Sequence, residues 1–169
     1  YGKMPEPRRS YAATISYLDD AVGRVASTVD RLGLRENTMI IFLSDHGHST
    51  EERTGFGGGN AGEFRGAKFS LFEGGIRVPC IASWPGKIPE GQTRGQFAAS
   101  VDWFPTIGEL CGVTLPQRTF DGKNLAGVLR SADAPSPHGV FHWQIGDQWA
   151  VRDGVWKLLN NASDSFPPG

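Results

Sequence analysis

Apolar residues recur at three- and four-residue steps between positions 10 and 32: Ile15, Leu18, Val22, Val25, Val29 and Leu32. That spacing puts them on one face of a helix and predicts an amphipathic α-helix over residues 10–32. Ser10 is placed to cap its start and Gly33 to end it. The pattern then changes. Met39-Ile40-Ile41-Phe42-Leu43 is an unbroken apolar run between polar neighbours. It suits a strand buried on both faces, as in a parallel sheet. A helix followed by such a strand is half of an α/β repeat.

Periodicity is lost over residues 47–67, where Gly55, Gly57, Gly58, Gly59, Gly62 and Gly66 predict loop. Residues 76–84 are again strand-like and end at Pro85-Gly86; residues 87–96 are turn-rich. Asp102-Trp103-Phe104-Pro105 opens a second helix that runs through Cys111. Pro105 sits in its first turn and Gly112 stops it. Residues 124–129 predict a short helix, and residues 130–139 a linker. Residues 140–144 and 149–159 predict short antiparallel strands, with turns near Gly146-Asp147 and Asp153-Gly154. No internal repeat is visible.

A chain of 169 residues is long enough for one domain with a real core. Its formal net charge of −1 argues against a basic surface for nucleic acid or anionic lipid. With 23 Gly and 11 Pro, much of the chain is loop, where sites usually lie. Cys80 and Cys111 have no metal-binding spacing; they are expected to be two buried thiols, with a disulfide as the alternative. No apolar run is long enough to span a membrane. The opening residues lack the features of a signal peptide, and both ends are expected to be cut points in a longer protein.

The apolar run at 39–43 leads straight into Ser44-Asp45-His46-Gly47-His48. Ligands of open α/β sheets bind at the carboxyl ends of strands, where Asp45 and His46 fall. An aspartate beside a neutral imidazole offers an oxygen and a nitrogen to a divalent cation, but calcium takes about six to eight ligands and zinc about four. The pair is therefore either part of a metal site, or a loop cap and a packed histidine. His48 is by default an exposed loop histidine. A second cluster follows: Lys68 stands in the uncharged segment Gly66-Ala67-Lys68-Phe69-Ser70-Leu71-Phe72. Beside a metal, its compact ammonium would clamp an anion and neutralise a developing negative oxygen; away from one, it would be a surface charge. Glu73 and Arg77 are spaced to pair across one helical turn.

SDHG followed by GAKFSLFEGGIRVP resembles the sulfatases of the alkaline-phosphatase-like superfamily. YAATISYLDDAVGRV before them, and DWFPTIGELCGV, FDGKNL and AVRDGVWKLL after them, fit the same family, so the resemblance runs from about Tyr11 to Leu159. It implies a partial α/β three-layer sandwich of the alkaline-phosphatase-like type over residues 1–135. The start of a small antiparallel C-terminal sheet would follow over residues 136–169. It implies that Asp45 and His46 are two ligands of a calcium ion, and that Lys68 is the catalytic lysine that grips the sulfate. His48 would fall near the substrate mouth. Ser100 to Thr106 resembles a structural helix start, and Phe120-Asp121-Gly122 with Leu125 a structural turn. His142 and Trp143, in the small sheet, either approach substrate or pack.

The family nucleophile is a formylglycine made within a C/S-x-P/A-x-R motif, and neither cysteine, nor any serine, lies in one here. The paired aspartates that complete the family metal site are also absent, so the chain resembles the C-terminal part of a sulfatase. The implied activity is hydrolysis of a sulfate ester, with a sulfated carbohydrate favoured over an aryl or steroid sulfate. The alternatives are a phosphodiesterase or phosphonate monoester hydrolase on the same scaffold, or an inactive fragment or subunit. The implied partner is the remaining N-terminal part of the same protein. The implied location is periplasmic, secreted or lysosomal.

Overall fold

In the computed structural model, which describes residues 2–55 and 57–165, the first helix, α1, spans Arg8–Arg31. It starts two residues before Ser10 because the Glu6 carboxylate, not the serine, meets its first turn. Glu6 accepts from the Ser10 backbone N–H at 3.2 Å and from Arg9 Nε at 2.8 Å. At the other end Gly33, with φ 67°, donates to Asp30 O and Leu34 donates to Val29 O. This pair of bonds closes orphan carbonyls of the last turn and needs the left-handed residue that glycine supplies. The apolar stripe of α1 has little to pack on: no residue of the helix is buried, and Val25 is 60% exposed.

After a short turn the chain enters β1, Ile40–Leu43, which pairs with β2, Cys80–Ser83. The pairing is antiparallel, with Ile40 opposite Ser83 and Leu43 opposite Cys80. This differs from the parallel, doubly buried strand expected from the apolar run. The chain leaves the carboxyl end of β1, forms the long glycine-rich loop, and returns from that same end. A parallel partner would need a crossover back to the amino end. β1 is half-buried along its length, and Ile81 of β2 is 62% exposed. Cys80, expected to be buried, is exposed at the start of β2, and Cys111 is exposed just beyond the second long helix; both thiols are free.

Within the loop lie a 3-10 turn, Glu52–Thr54, and a single α-helical turn, α2, Glu73–Ile76. Downstream, α3 (Trp103–Leu110) ends at Cys111 and Gly112 as expected, and α4 covers Ala126–Arg130. Around them sits half of the buried apolar core of the described residues: Leu125, Ala126 and Val128. Thr106 Oγ1 accepts from the Leu125 N–H at 2.8 Å and donates to Asp102 O at 2.6 Å, which ties α3 to the start of α4. Gly122 lies against the Val101 carbonyl so closely that a Cβ would come within 2.6 Å of its carbon.

Residues 130–139 are not a free linker. Gln96 Nε2 donates to Ala132 O and Ala134 O, Arg94 Nε to Val128 O, and Ser136 Oγ to Phe97 O. The centre of this lacing is Asp102, fully buried, which accepts from Ala99 N and Lys123 N at 2.7 Å and meets His138 Nε2 at 2.8 Å. Phe97, Phe141 and Trp143 pack around the same point, with ring centroids 4.8–5.5 Å apart.

The chain then forms a three-stranded antiparallel sheet in the order β3 (Val140–Ile145), β4 (Gln148–Asp153), β5 (Trp156–Asn160), with turns where the sequence placed them. Register puts Phe141, Trp143, Ala150, Arg152, Lys157 and Leu159 on one face. That face packs inward, and Ala150 is 1% exposed. Val140, His142, Trp149, Val151, Trp156 and Leu158 share the outer face.

Candidate functional site

β1 delivers Asp45 and His46 just past its last residue, into the loop that closes with Lys68. Two backbone bonds stitch the loop segments together. Gly47 N donates to Gly75 O at 2.8 Å, and Lys68 N donates to His48 O at 2.9 Å. The close approach explains the glycines. A Cβ on Gly74 would lie 2.7 Å from Arg65 O and 2.9 Å from Phe64 O, and closer still to Gly66 O. The expected site residues Asp45, His46, His48 and Lys68 thus come from two sequence clusters but belong to one stitched unit.

Asp45 is exposed and His46 half-buried. His46 Nδ1 lies 2.7 Å from Gly47 O, a contact that requires a proton on Nδ1. Nε2 then faces Asp45 Oδ2 at 3.1 Å. A proton fixed on Nδ1 by a backbone carbonyl is also the usual way an imidazole is set to ligate through Nε2. The pair fits one edge of a divalent cation's shell. Among the described residues no group of three or more His, Cys, Asp or Glu side chains converges to complete it. His48 lies against Gly59, whose added Cβ would reach within 2.8 Å of the His48 Cγ.

Lys68 is largely shielded, its side chain 15% exposed. Its Nζ lies 2.7 Å from Glu51 Oε2 and 4.8 Å from the centroid of the Phe69 ring. The same Oε2 accepts from Ser49 Oγ at 2.9 Å and from an Arg53 Nη at 3.1 Å. Lys68, then Arg53 and Ser49, hold the Glu51 carboxyl down at about 2, so it stays ionised at any ordinary pH. Sequence reasoning missed Glu51. It lies in a charged loop without periodicity, and its one signal is an acid in the segment between the two motifs.

Phe69, next to Lys68, has φ 72°, a left-handed conformation uncommon for a bulky side chain and one that needs surrounding support. The C-terminal sheet supplies it. Gln148 Nε2 donates to Phe69 O at 3.3 Å, and Lys157 Nζ to Leu71 O at 2.6 Å and Glu73 Oε1 at 2.7 Å. Ala67 N donates to Asp164 O, while the Asp164 carboxylate pairs with Arg65 Nε at 2.6 Å. Arg65 holds the Asp164 carboxyl below its ordinary value. Glu73 is therefore held mainly by Lys157. The expected Arg77 partner stands 4.0 Å away. His142 is carried on the outer face of the sheet, beside Trp149 and Val151, opposite the face that grips this loop.

The Sulfatase family model matches residues 2–113. Mouse (Mus musculus) steryl-sulfatase is 37% identical over 95% of this chain, and bovine (Bos taurus) arylsulfatase A 35% identical over 89%. The chain spans 27% and 30% of the length of those curated relatives. Among solved structures, Ps i-CgsB in complex with k-i-k-neocarrahexaose superposes with a TM-score of 0.84 at 25% identity. That match covers 94% of this chain and 35% of the other. The PsFucS1 sulfatase from Pseudoalteromonas sp. superposes with a TM-score of 0.67 at 27% identity, covering 87% of this chain and 33% of the other. The architecture is thus a partial alkaline-phosphatase-like α/β fold with a small C-terminal sheet. By sequence and by structure, the chain belongs to the sulfatase family.

Proposed function

We propose that this chain is the part of a sulfuric ester hydrolase that carries the sulfate-gripping lysine and two ligands of a calcium ion. The observation that carries the reading is the stitching of the Asp45–His48 segment to Lys68 through backbone bonds at both Gly47 and His48. Those bonds, in this reading, keep the lysine and the Asp45–His46 pair in one loop unit. In this reading Asp45 gives a carboxylate oxygen and His46 gives Nε2 to the cation, which supplies Lewis-acid polarisation when bound. Lys68 donates N–H groups to the sulfate oxygens as negative charge grows on them, a role a shielded ammonium performs better than one in bulk water. The nucleophile and the remaining metal ligands belong to the rest of the parent protein.

Sulfated carbohydrate is the substrate class we favour, supported by the neighbour bound to k-i-k-neocarrahexaose. The exposed stripe of α1, together with the 27% share of the relative's length, supports packing of this chain against the remaining N-terminal part. We infer two units, residues 1–135 and the beginning of a small sheet subdomain over 136–169, and a periplasmic, secreted or lysosomal location. No helix among the described residues is long and apolar enough to cross a membrane.

The test is hydrolysis by the full-length parent protein of an aryl sulfate, the matching aryl phosphate, a diaryl phosphate and an aryl phosphonate monoester. Sulfate release fastest by about tenfold or more supports the reading. Preference for the diester or phosphonate moves the protein to the other branch of the superfamily. No turnover of any of them leaves the inactive-subunit reading standing.

A further inference from the structure

The ion pair between Lys68 and Glu51 comes in addition to the backbone bonds that close the loop at Gly47, Lys68 and Gly74. The pair is tightly built. Glu51 Oε2 takes three donors, from Ser49, Arg53 and Lys68. Thr54 Oγ1 donates to the Glu51 carbonyl at 2.6 Å and meets Ser49 Oγ at 3.3 Å, so the carboxylate is fixed from behind. A lysine side chain has four rotatable bonds and carries about 2 kcal/mol of rotamer entropy. Here one of its three N–H groups is committed to a carboxylate that Ser49 and Arg53 also hold, with the face of Phe69 close by.

We propose that Glu51 is a positioning residue for Lys68: its anchored carboxylate aims the ammonium, leaving the other N–H groups for the substrate anion. The proposal rests on Lys68 being the sulfate-binding lysine. Glu51 has a second effect with the opposite sign on binding. Its negative charge beside the ammonium weakens attraction for a free anion, so the site sacrifices ground-state affinity for aim. With Arg53 included, the three side chains Glu51, Arg53 and Lys68 carry a net charge of +1; without Glu51 they carry +2.

The experiment compares wild type, Glu51→Gln, Lys68→Met and the double variant in the full-length protein. It measures kcat and KM on an aryl sulfate, inorganic sulfate affinity by calorimetry, and thermal unfolding. A loss of aim of about 1 Å costs on the order of 100-fold in rate. Glu51→Gln is therefore expected to lower kcat by about 10- to 100-fold, with KM lowered and inorganic sulfate bound more tightly. In the Lys68→Met background the same change is expected to alter neither rate nor sulfate affinity, since Glu51 acts through the lysine. A merely structural Glu51 would leave KM and sulfate affinity alone, whatever its effect on the unfolding temperature. The proposal is overturned if Glu51→Gln keeps kcat within about twofold of wild type, raises KM at unchanged kcat, or has the same effect with and without Lys68. If instead the wild type neither hydrolyses the ester nor binds sulfate, the sulfatase reading has failed and this inference goes with it.

Discussion

Replacing Asp102 with Asn removes one charge and one acceptor from a point where three segments meet. The carboxylate is fully buried, and the His138 side chain is 4% exposed. Its two oxygens accept from Ala99 N and Lys123 N, and both lie within 2.9 Å of His138 Nε2. An Asn side chain of the same shape can accept at one position, but its NH₂ group then points at a backbone N–H. One buried donor loses its acceptor, a cost of about 1–3 kcal/mol. The contact to His138 is weakened as well, because a neutral amide replaces the carboxylate, so the total cost is about 2–4 kcal/mol. Against a domain stability of roughly 5–15 kcal/mol this is a large fraction. The assay is urea unfolding followed by tryptophan fluorescence, with Trp143 5.5 Å from Phe97 in the same cluster. We expect the transition midpoint to fall by an amount equivalent to about 2–4 kcal/mol. His138→Ala should be milder, because the carboxylate keeps two backbone donors. A loss below about 1 kcal/mol for Asp102→Asn would refute the reasoning, since it would mean the buried carboxylate's partners are replaceable by water.

Three further outcomes follow from the site. The Glu51 carboxyl is held at about 2, first by Lys68, against an ordinary value of 4.5. A carboxyl with a lowered folded-state value contributes stability that is present above about 4.5 and lost as pH falls toward 2. Acid unfolding between those limits should accordingly be shallower in Glu51→Gln than in wild type, and identical slopes would contradict the pairing. Gly74→Ala should abolish or cripple folding, since the new methyl meets the carbonyls of Arg65 and Phe64 at 2.7 and 2.9 Å; soluble protein with wild-type unfolding behaviour would count against the close backbone packing. Asp45→Ala should raise the calcium needed for half-maximal activity by about tenfold or more, and an unchanged calcium titration would remove Asp45 from the metal site.

The parts of the molecule governed by local periodicity were legible in advance. The 24-residue α1 follows from the spacing of Ile15 to Leu32, and the hairpins of the C-terminal sheet from Gly146 and Gly154. The Asp45–His46 and Lys68 clusters were legible as motifs, and the structure joins them through Gly47 and His48. What could not be read is what depends on distant partners. An apolar run such as 39–43 does not say which way its neighbour runs, so the antiparallel pairing with β2 was missed. Residues 130–139 look like a linker because Pro and Ser dominate there, yet His138 reaches back 36 positions to Asp102. Glu51 pairs with a lysine 17 residues away, across a glycine-rich loop that no periodicity orders.

The central claim is that Lys68 grips the transferring sulfate. It is tested most directly by comparing inorganic sulfate release from an aryl sulfate by the full-length protein and its Lys68→Met variant, with unfolding measured on both. The account predicts a fall in kcat of about 100- to 1,000-fold, with stability changed by less than about 1 kcal/mol. A Lys68→Met protein that releases sulfate at the wild-type rate, or one that fails to fold, would contradict it.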